Sequence, residues 1–163
     1  MMTTIRALDR SDLASLQTVI DTTKLFPSEF LEGMLEDYLT NPSSHDVWLT
    51  AEANQIPIAV AYYAPERLTE GTYNLYLIAV HKDFQDKGIG ASIMRHVEEA
   101  LRERGMRILL VETSGLPEFE RTRAFYDKCN YTREAVIRDF YKEGEDKIIF
   151  WKKLTTAQLG GFC

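Results

Sequence analysis

Two glycines, Gly88 and Gly90, stand two residues apart at the start of a segment that otherwise has the pattern of an amphipathic helix. Glycine is among the poorest helix formers, so its placement here needs a physical reason. The glycines follow the run 72–80, which is rich in strand-forming residues. The apolar residues of the helix recur at every fourth position: Ile89, Ile93, Val97 and Leu101. A strand, a glycine-containing loop and a helix are therefore predicted in that order.

A loop between a strand and a helix start gathers unpaired backbone N–H groups, and the helix dipole adds about half a positive charge there. Without side chains at Gly88 and Gly90, a phosphate could approach those groups closely. A Walker A loop is excluded because Lys87 precedes the glycine instead of following it, and a dinucleotide fingerprint would need a glycine where Ile93 stands. An anion-binding loop is favoured, with a tight turn that binds nothing as the alternative.

The other segments alternate between strand and helix patterns. Strands are predicted at 3–8, twice within 46–65, at 106–114, at 131–140 and at 146–154, and helices from near Asp12, within 26–42 and at 118–130. The resulting order, β-α-α-β-β-β-α-β-α-β-β, predicts an α/β fold with a mixed sheet and helices on its faces. The length suits a single domain over residues 1–163, in which we expect 155–163 to be a flexible tail.

Composition narrows the classes of partner. The net charge of −6 disfavours a nucleic-acid surface and favours cationic partners. With no run of eighteen apolar residues and no charged-then-apolar leader, we expect a cytoplasmic protein without membrane contact. The few cysteines and histidines are scattered, so neither a disulfide framework nor a metal site is predicted: Cys129, Cys163, His45, His81 and His96.

The stretch "QDKGIGA" (85–91) and its lead-in "LIAVHKDF" (77–84) resemble the pyrophosphate loop of the GCN5-related N-acetyltransferases, whose pattern is Gln/Arg-x-x-Gly-x-Gly/Ala. The predicted order of elements resembles that of the family over residues 3–154. The resemblance implies a GNAT-like acyl-CoA N-acyltransferase fold with acetyl-CoA as the acetyl donor and no metal. It also implies which backbone groups hold the donor. These are Ile78, Ala79 and Val80 along the pantetheine arm, and Gln85, Asp86, Lys87, Gly88, Ile89, Gly90 and Ala91 around the pyrophosphate.

The segment "RTRAFYDKCNY" (121–131) resembles the family segment A-x-x-F-Y-x-x-x-G-F, whose tyrosine points at the CoA sulfur. The resemblance gives that role, as general acid, to Tyr126. A phenol with a pKa of about 10 is protonated at neutral pH and can donate to a departing thiolate. Packing against the sheet is the alternative role. The usual Gly-Phe end is replaced by Asn130 and Tyr131, and asparagine tolerates the left-handed backbone conformation that the turn needs.

The general base is harder to assign, because Tyr76 stands where many relatives carry a glutamate. Glu112 interrupts the apolar run 108–114, and some peptide-amine acetyltransferases of the family use a glutamate on this strand. We expect Glu112 to accept a proton from an ammonium substrate through water, with a solvated or salt-bridged carboxylate as the alternative. A Cys129 nucleophile is conceivable, but no histidine lies near it in the sequence.

Acidic residues gather in the segments expected on the acceptor side: Glu32, Glu36, Asp37, Asp139, Glu143, Glu145 and Asp146. An acidic rim would attract a cationic amine, although solvated charge is the alternative. Phe140 and Tyr141 could line the acceptor pocket or simply pack. The predicted function is acetyl transfer to a primary amine of a small molecule or peptide; the alternative is a non-catalytic acyl-CoA-binding module of the same fold. A homodimer is expected by family analogy alone.

Overall fold

A computed structural model describes residues 2–154, so the predicted tail 155–163 and Cys163 lie outside the described residues. The elements are β1 (Thr3–Ala7), α1 (Leu13–Thr23), α2 (Leu31–Thr40), β2 (Val47–Ala53), β3 (Ile56–Pro65), β4 (Thr72–Val80), α3 (Ile89–Glu103), β5 (Ile108–Ser114), α4 (Glu120–Lys128), β6 (Thr132–Lys142) and β7 (Glu145–Lys153). Their order confirms the α/β prediction. Within the described residues, no helix has the length and apolar character needed to cross a membrane.

The seven strands form one mixed sheet in the order β1-β2-β3-β4-β5-β7-β6. The β1–β2, β2–β3, β5–β7 and β6–β7 pairs are antiparallel. The β4–β5 pair is parallel, and its register joins Thr72–Leu75 to Ile108–Val111. A parallel pair needs a long crossover, which α3 supplies. The N-terminus of α3 therefore follows the carboxyl end of β4.

The described chain divides into two compact units, of which the first comprises the chain up to Ala64 together with Tyr76–Ile93. Its first helix is preceded by a capping box, in which Asp9 accepts the N–H of Ser11 at 3.1 Å and Asp12 accepts the N–H of Asp9 at 2.8 Å. The core residues of this unit are Leu8, Leu16, Val19, Ile20, Leu31, Leu35, Trp48, Val60, Leu77 and Ala79. The helical spacing seen in the sequence thus buries one face of α1 and of α2.

The second unit comprises Pro65–Leu75 and the chain from Met94 onward. Leu109 and Val111 of β5 and Phe150 of β7 are at most 1% exposed. Asn130 ends the turn after α4 with φ at 66°, so the expectation that asparagine adopts the left-handed conformation here is confirmed. The asparagine keeps the left-handed turn that leads into β6.

A buried ion pair joins three elements of the second unit. Lys152 of β7 donates to Glu98 of α3 at 3.0 Å and to the carbonyl oxygen of Cys129, just after α4, at 2.7 Å. Tyr131 donates to the other carboxylate oxygen of Glu98 at 2.7 Å. Glu98 and Lys152 are only 1% and 4% exposed, and Lys152 is the nearer of the two cations of Glu98, since Arg102 lies 3.7 Å from the same carboxylate.

Replacing Lys152 with methionine should lower the free energy of unfolding by about 3 kcal/mol, because the buried Glu98 carboxylate would lose its nearer cation and keep only Arg102, at 3.7 Å. Denaturant titration at neutral pH measures the loss. Arg133→Met is the matched control: its pair with Asp127 is also short, at 2.7 Å, but both side chains are about half exposed. The control should lose at most about 1 kcal/mol. Equal losses in the two variants would contradict the role given to Lys152.

Candidate active site

The loop with the two glycines is an exposed turn in the first unit. Asp86 and Gly88 both have left-handed backbone conformations, with φ at 63° and 79°. A Cβ atom built on Gly88 would meet nothing within 4 Å, so the space in front of this residue is open. Gly88 therefore serves two purposes, since it provides the positive φ of the turn and leaves the backbone accessible.

The first turn of α3 leaves donors without helical partners. The helix begins at Ile89, and the N–H of Ser92 donates to the carbonyl oxygen of Gly88 at 3.0 Å. The N–H groups of Ile89, Gly90 and Ala91 precede that bond, so no carbonyl of the helix can accept from them. Together with the dipole of a fifteen-residue helix, they form a suitable place for an anion.

The side chain of Gln85 ties the loop to the end of β4. Its Nε2 donates to the carbonyl oxygen of Val80 at 3.0 Å, while its backbone N–H faces the carbonyl of Lys82 at 3.4 Å. The register of β4 with β5 runs from Thr72 to Leu75, so it ends before the Ile78–Val80 segment that the resemblance assigns to the pantetheine arm. Gln85, the first residue of the loop pattern, thus links the loop to the last residue of β4.

Tyr126 lies in the second unit and is the buried residue of α4, at 3% exposure. Its ring contacts those of Phe125, Tyr131 and Phe150, with centroids 5.3, 6.1 and 5.3 Å away. Burial raises the pKa of the Tyr126 phenol well above its ordinary value, and Cys129 raises it further. The phenol is therefore protonated at neutral pH, which is the state that a general acid needs.

Glu112 lies on β5, also in the second unit, and its side chain is 19% exposed. It accepts from Lys147 Nζ at 2.7 Å and from Asn74 Nδ2 at 3.2 Å, and the same Asn74 nitrogen donates to Glu66 at 2.9 Å. The carboxylate is thus engaged by an ammonium and an amide. The sequence analysis missed Asn74 and Lys147, although an asparagine inside the strand-forming run 72–80 was a usable signal.

The hairpin of β6 and β7 brings two aromatic side chains to the same cluster. The ring centroid of Phe140 is 4.0 Å from Lys147 Nζ. Burial raises the pKa of Tyr141 to about 12, and the charges of Glu112 and Glu145 add to the shift. Tyr141 is 44% exposed and Phe140 is 49% exposed. These two candidate pocket residues therefore lie beside the candidate base and are still accessible.

Tyr76, which stands where relatives carry a glutamate, belongs to a stack of rings in the first unit. The ring centroids of Tyr76 and Tyr62 are 5.4 Å apart. Those of Tyr62 and Trp48 are 4.4 Å apart, and these two rings are nearly parallel. The hydroxyl of Tyr62 donates to Asp46 at 3.2 Å. A phenol replaces a carboxylate at this position, so proton acceptance has to be provided elsewhere.

The acidic residues of the predicted rim lie in different parts of the structure and make different contacts. Glu32 and Glu36 line an open cavity of about 430 Å³ beside α2. Asp37 accepts from Ser44 and Asn41. Asp139 accepts the N–H of Gly144, and Asp146 accepts the N–H of Asp139, so this pair shapes the β6–β7 turn. Glu143 is exposed, and Glu145 pairs with Lys142 in the ladder.

The thiol and imidazole groups show no catalytic arrangement among the described residues. Cys129 is completely buried. His81 caps a short helical turn, because its Nδ1 accepts the N–H of Asp83, while His45 and His96 are exposed. No cluster of three potential metal ligands occurs within residues 2–154.

Comparison with known proteins identifies the family. The model of the acetyltransferase (GNAT) family matches residues 13–131, which is most of the chain. A ribosomal protein bS18-alanine N-acetyltransferase of Salmonella typhimurium is 26% identical over 154 residues, covering 91% of this chain and 95% of the relative. The corresponding enzyme of Escherichia coli K12 is 24% identical, covering 86% and 88%.

Solved structures agree with this assignment. A Desulfovibrio desulfuricans protein placed in the GNAT family is 29% identical, with a TM-score of 0.87 over 94% of this chain and 99% of its own. An aminoglycoside 6'-N-acetyltransferase complexed with coenzyme A shares the fold, with 16% identity and a TM-score of 0.74 over 96% and 99% of the two chains. Members of the family use acetyl-CoA as donor. The chain belongs to the acetyltransferase (GNAT) family and is an N-acetyltransferase.

Proposed function

We propose that this N-acetyltransferase acts on a primary amine of a peptide or protein by direct attack on the thioester of acetyl-CoA. Tyr126 is the general acid and Glu112 the general base. The observation that carries these roles is the contrast between two environments of the second unit: a phenol kept neutral by burial, and a carboxylate bound to an ammonium at 2.7 Å. Such a contrast is what separates an acid from a base at one pH.

The reaction combines proton transfers at the amine and at the thiol with the breaking of the thioester bond. Glu112 takes a proton from the acceptor ammonium, directly or through water, and the neutral amine attacks the carbonyl carbon of the thioester. The carbon–sulfur bond breaks, and the phenol of Tyr126 donates its proton to the leaving thiolate. Collapse to the amide releases a second proton from the nitrogen, which returns through solvent to the Tyr126 phenolate, and Glu112 releases its own proton to solvent. No covalent enzyme intermediate is required, which agrees with the complete burial of Cys129.

For the donor, we propose that the backbone N–H groups from Gln85 to Ala91 hold the pyrophosphate and that the backbone of Ile78–Val80 pairs with the pantetheine arm. The open space at Gly88 and the unpartnered donors of the first turn of α3 support this placement. A cytoplasmic location, a single domain and a homodimer stay predictions.

A peptide acceptor is proposed because the curated relatives named above act on an alanine of a ribosomal protein. The exposed, partly acidic surroundings of the β6–β7 hairpin also suit a cationic chain end.

Release of free CoA thiol, measured across a panel of amines, tests the acceptor. Peptides with a free N-terminal alanine should be acetylated with kcat/KM at least about tenfold above free alanine or an aminoglycoside, because a peptide adds contacts beyond the amine. The same peptides with a blocked N-terminus are the control and should release thiol only at the rate of hydrolysis. Preference for the aminoglycoside would contradict the peptide proposal, and no turnover with any amine would contradict the assigned roles.

Replacing Tyr126 with phenylalanine should lower kcat by about 10²–10⁴, because the proton donor is lost while the ring packing is kept. The affinity for CoA, measured by calorimetry, should change less than about threefold if the hydroxyl acts only in the reaction. Tyr38→Phe is the control, since that hydroxyl donates to the carbonyl of Leu8 in the core of the first unit. An unchanged kcat in Tyr126→Phe would remove this residue from the mechanism.

Replacing Gly88 with alanine should weaken CoA binding about tenfold or more, since a methyl group and a strained φ disturb the backbone that faces the anion. Gly105→Ala is a matched control at the other end of α3, where φ is 75° and the space is equally open. Both variants should lose about 1–2 kcal/mol of stability, because both place a side chain at positive φ. Equal CoA affinities in the two variants would contradict a pyrophosphate site at Gly88.

A further inference from the structure

Lys147 presents a primary ammonium group directly to the candidate base. Its Nζ lies 2.7 Å from Oε2 of Glu112 and 4.0 Å from the ring centroid of Phe140, and the side chain is only 13% exposed. A carboxylate and the face of an aromatic ring are the two partners that most favour an alkylammonium ion. Lys147 therefore occupies a place with the chemistry of a primary-ammonium binding site.

An unpaired acceptor beside Glu112 points to a further ligand. Asn74 is 5% exposed and uses its Nδ2 to donate to both Glu66 and Glu112, whereas its Oδ1 is buried and has no hydrogen-bond partner among residues 2–154. A buried acceptor without a donor is costly, and in native structures it is uncommon. Lys147 does not satisfy this oxygen, so a donor other than Lys147 is the group that would complete the cluster.

The Lys147–Glu112 pair is not needed to hold the strands together. The backbone ladder of β5 and β7 already joins Ile108–Ser114 to Lys147–Lys153. Lys147 and Glu112 are 13% and 19% exposed, so loss of the lysine charge should cost some stability, but Asn74 still donates to the carboxylate. Removal of the lysine charge should leave a folded protein, so the function of the pair can be tested by substitution.

We propose that Glu112, Phe140 and Asn74 form an ammonium subsite for the acceptor, and that Lys147 occupies it until a primary-ammonium substrate displaces the lysine. This inference rests on the proposed function, because it takes Glu112 as the base. The incoming ammonium exchanges for Lys147 Nζ on the carboxylate and contacts the Phe140 ring, and a donor elsewhere on the same substrate completes Asn74 Oδ1. Lys147 is thus an internal competitor that raises the KM for the acceptor and disfavours amines that bind the subsite weakly.

The test compares the KM values of three single variants with those of the unaltered protein. Lys147→Met keeps the length of the side chain without its charge and should lower the KM for the acceptor peptide about three- to tenfold, with the KM for acetyl-CoA unchanged. Lys147→Arg keeps the charge and should retain a KM near that of the unaltered protein. Lys153→Met removes one positive charge from an exposed position of the same strand and should leave both KM values unchanged.

A binding measurement separates the subsite from catalysis. Calorimetry with n-butylammonium, which has no other functional group, should show affinity at least about threefold higher for Lys147→Met than for the unaltered protein. The gain should be lost in Lys147→Met combined with Glu112→Gln, and reduced in Lys147→Met combined with Phe140→Leu. This measurement does not depend on turnover, so it remains decisive even if no amine is acetylated.

The possible outcomes are distinct. If the unaltered protein acetylates peptides but Lys147→Met shows the same acceptor KM and the same butylammonium affinity, the competition proposed here is wrong. A higher acceptor KM in Lys147→Met would also overturn it, because Lys147 would then be a substrate contact. If Lys147→Met gains butylammonium affinity while no amine is acetylated, the subsite stands and the proposed function fails.

Discussion

The parallel pairing of β4 with β5 is the constraint on which the rest of the structure depends. Antiparallel neighbours can be joined by a short turn, but a parallel pair requires a crossover, and here the crossover is α3. The chain must therefore turn sharply from the carboxyl end of a strand into the start of a helix. The left-handed conformations of Asp86 and Gly88 make that turn, and the helix start leaves free N–H groups. The pairing that builds the sheet thus also produces the open helix start at which we propose that an anion binds.

Features with a local cause were predictable from the sequence. The order of the eleven elements follows from hydrophobic periodicity, which requires no knowledge of distant contacts. The glycine loop is recognisable because glycine readily adopts the positive φ that Gly88 has. The turn at Asn130 is recognisable because asparagine also tolerates a positive φ. The burial of Tyr126 also follows from its spacing on α4, although the sequence does not say which rings surround it. In each case the residue type and the local geometry agree.

The surroundings of Glu112 were not predictable, because they depend on strand register. Asn74 and Lys147 are 38 and 35 residues away from Glu112 along the chain, and only the β4–β5 and β5–β7 ladders bring them beside it. A shift of one residue in either ladder would turn these side chains to the other face of the sheet. The same limit applies to the hydrogen bonds of the acidic residues in the β6–β7 hairpin. Asp139 and Asp146 bind backbone N–H groups of their own turn, which composition cannot reveal.

The two candidate catalytic groups have contrasting surroundings within the second unit. Tyr126 is surrounded by rings, so its neutral form is favoured by the cost of burying a charge. Glu112 is surrounded by N–H donors, which are the natural partners of a carboxylate. A base that has to release a cation before it can bind the next one therefore needs a polar and replaceable partner, and Lys147, joined to the sheet by a flexible side chain, is such a partner.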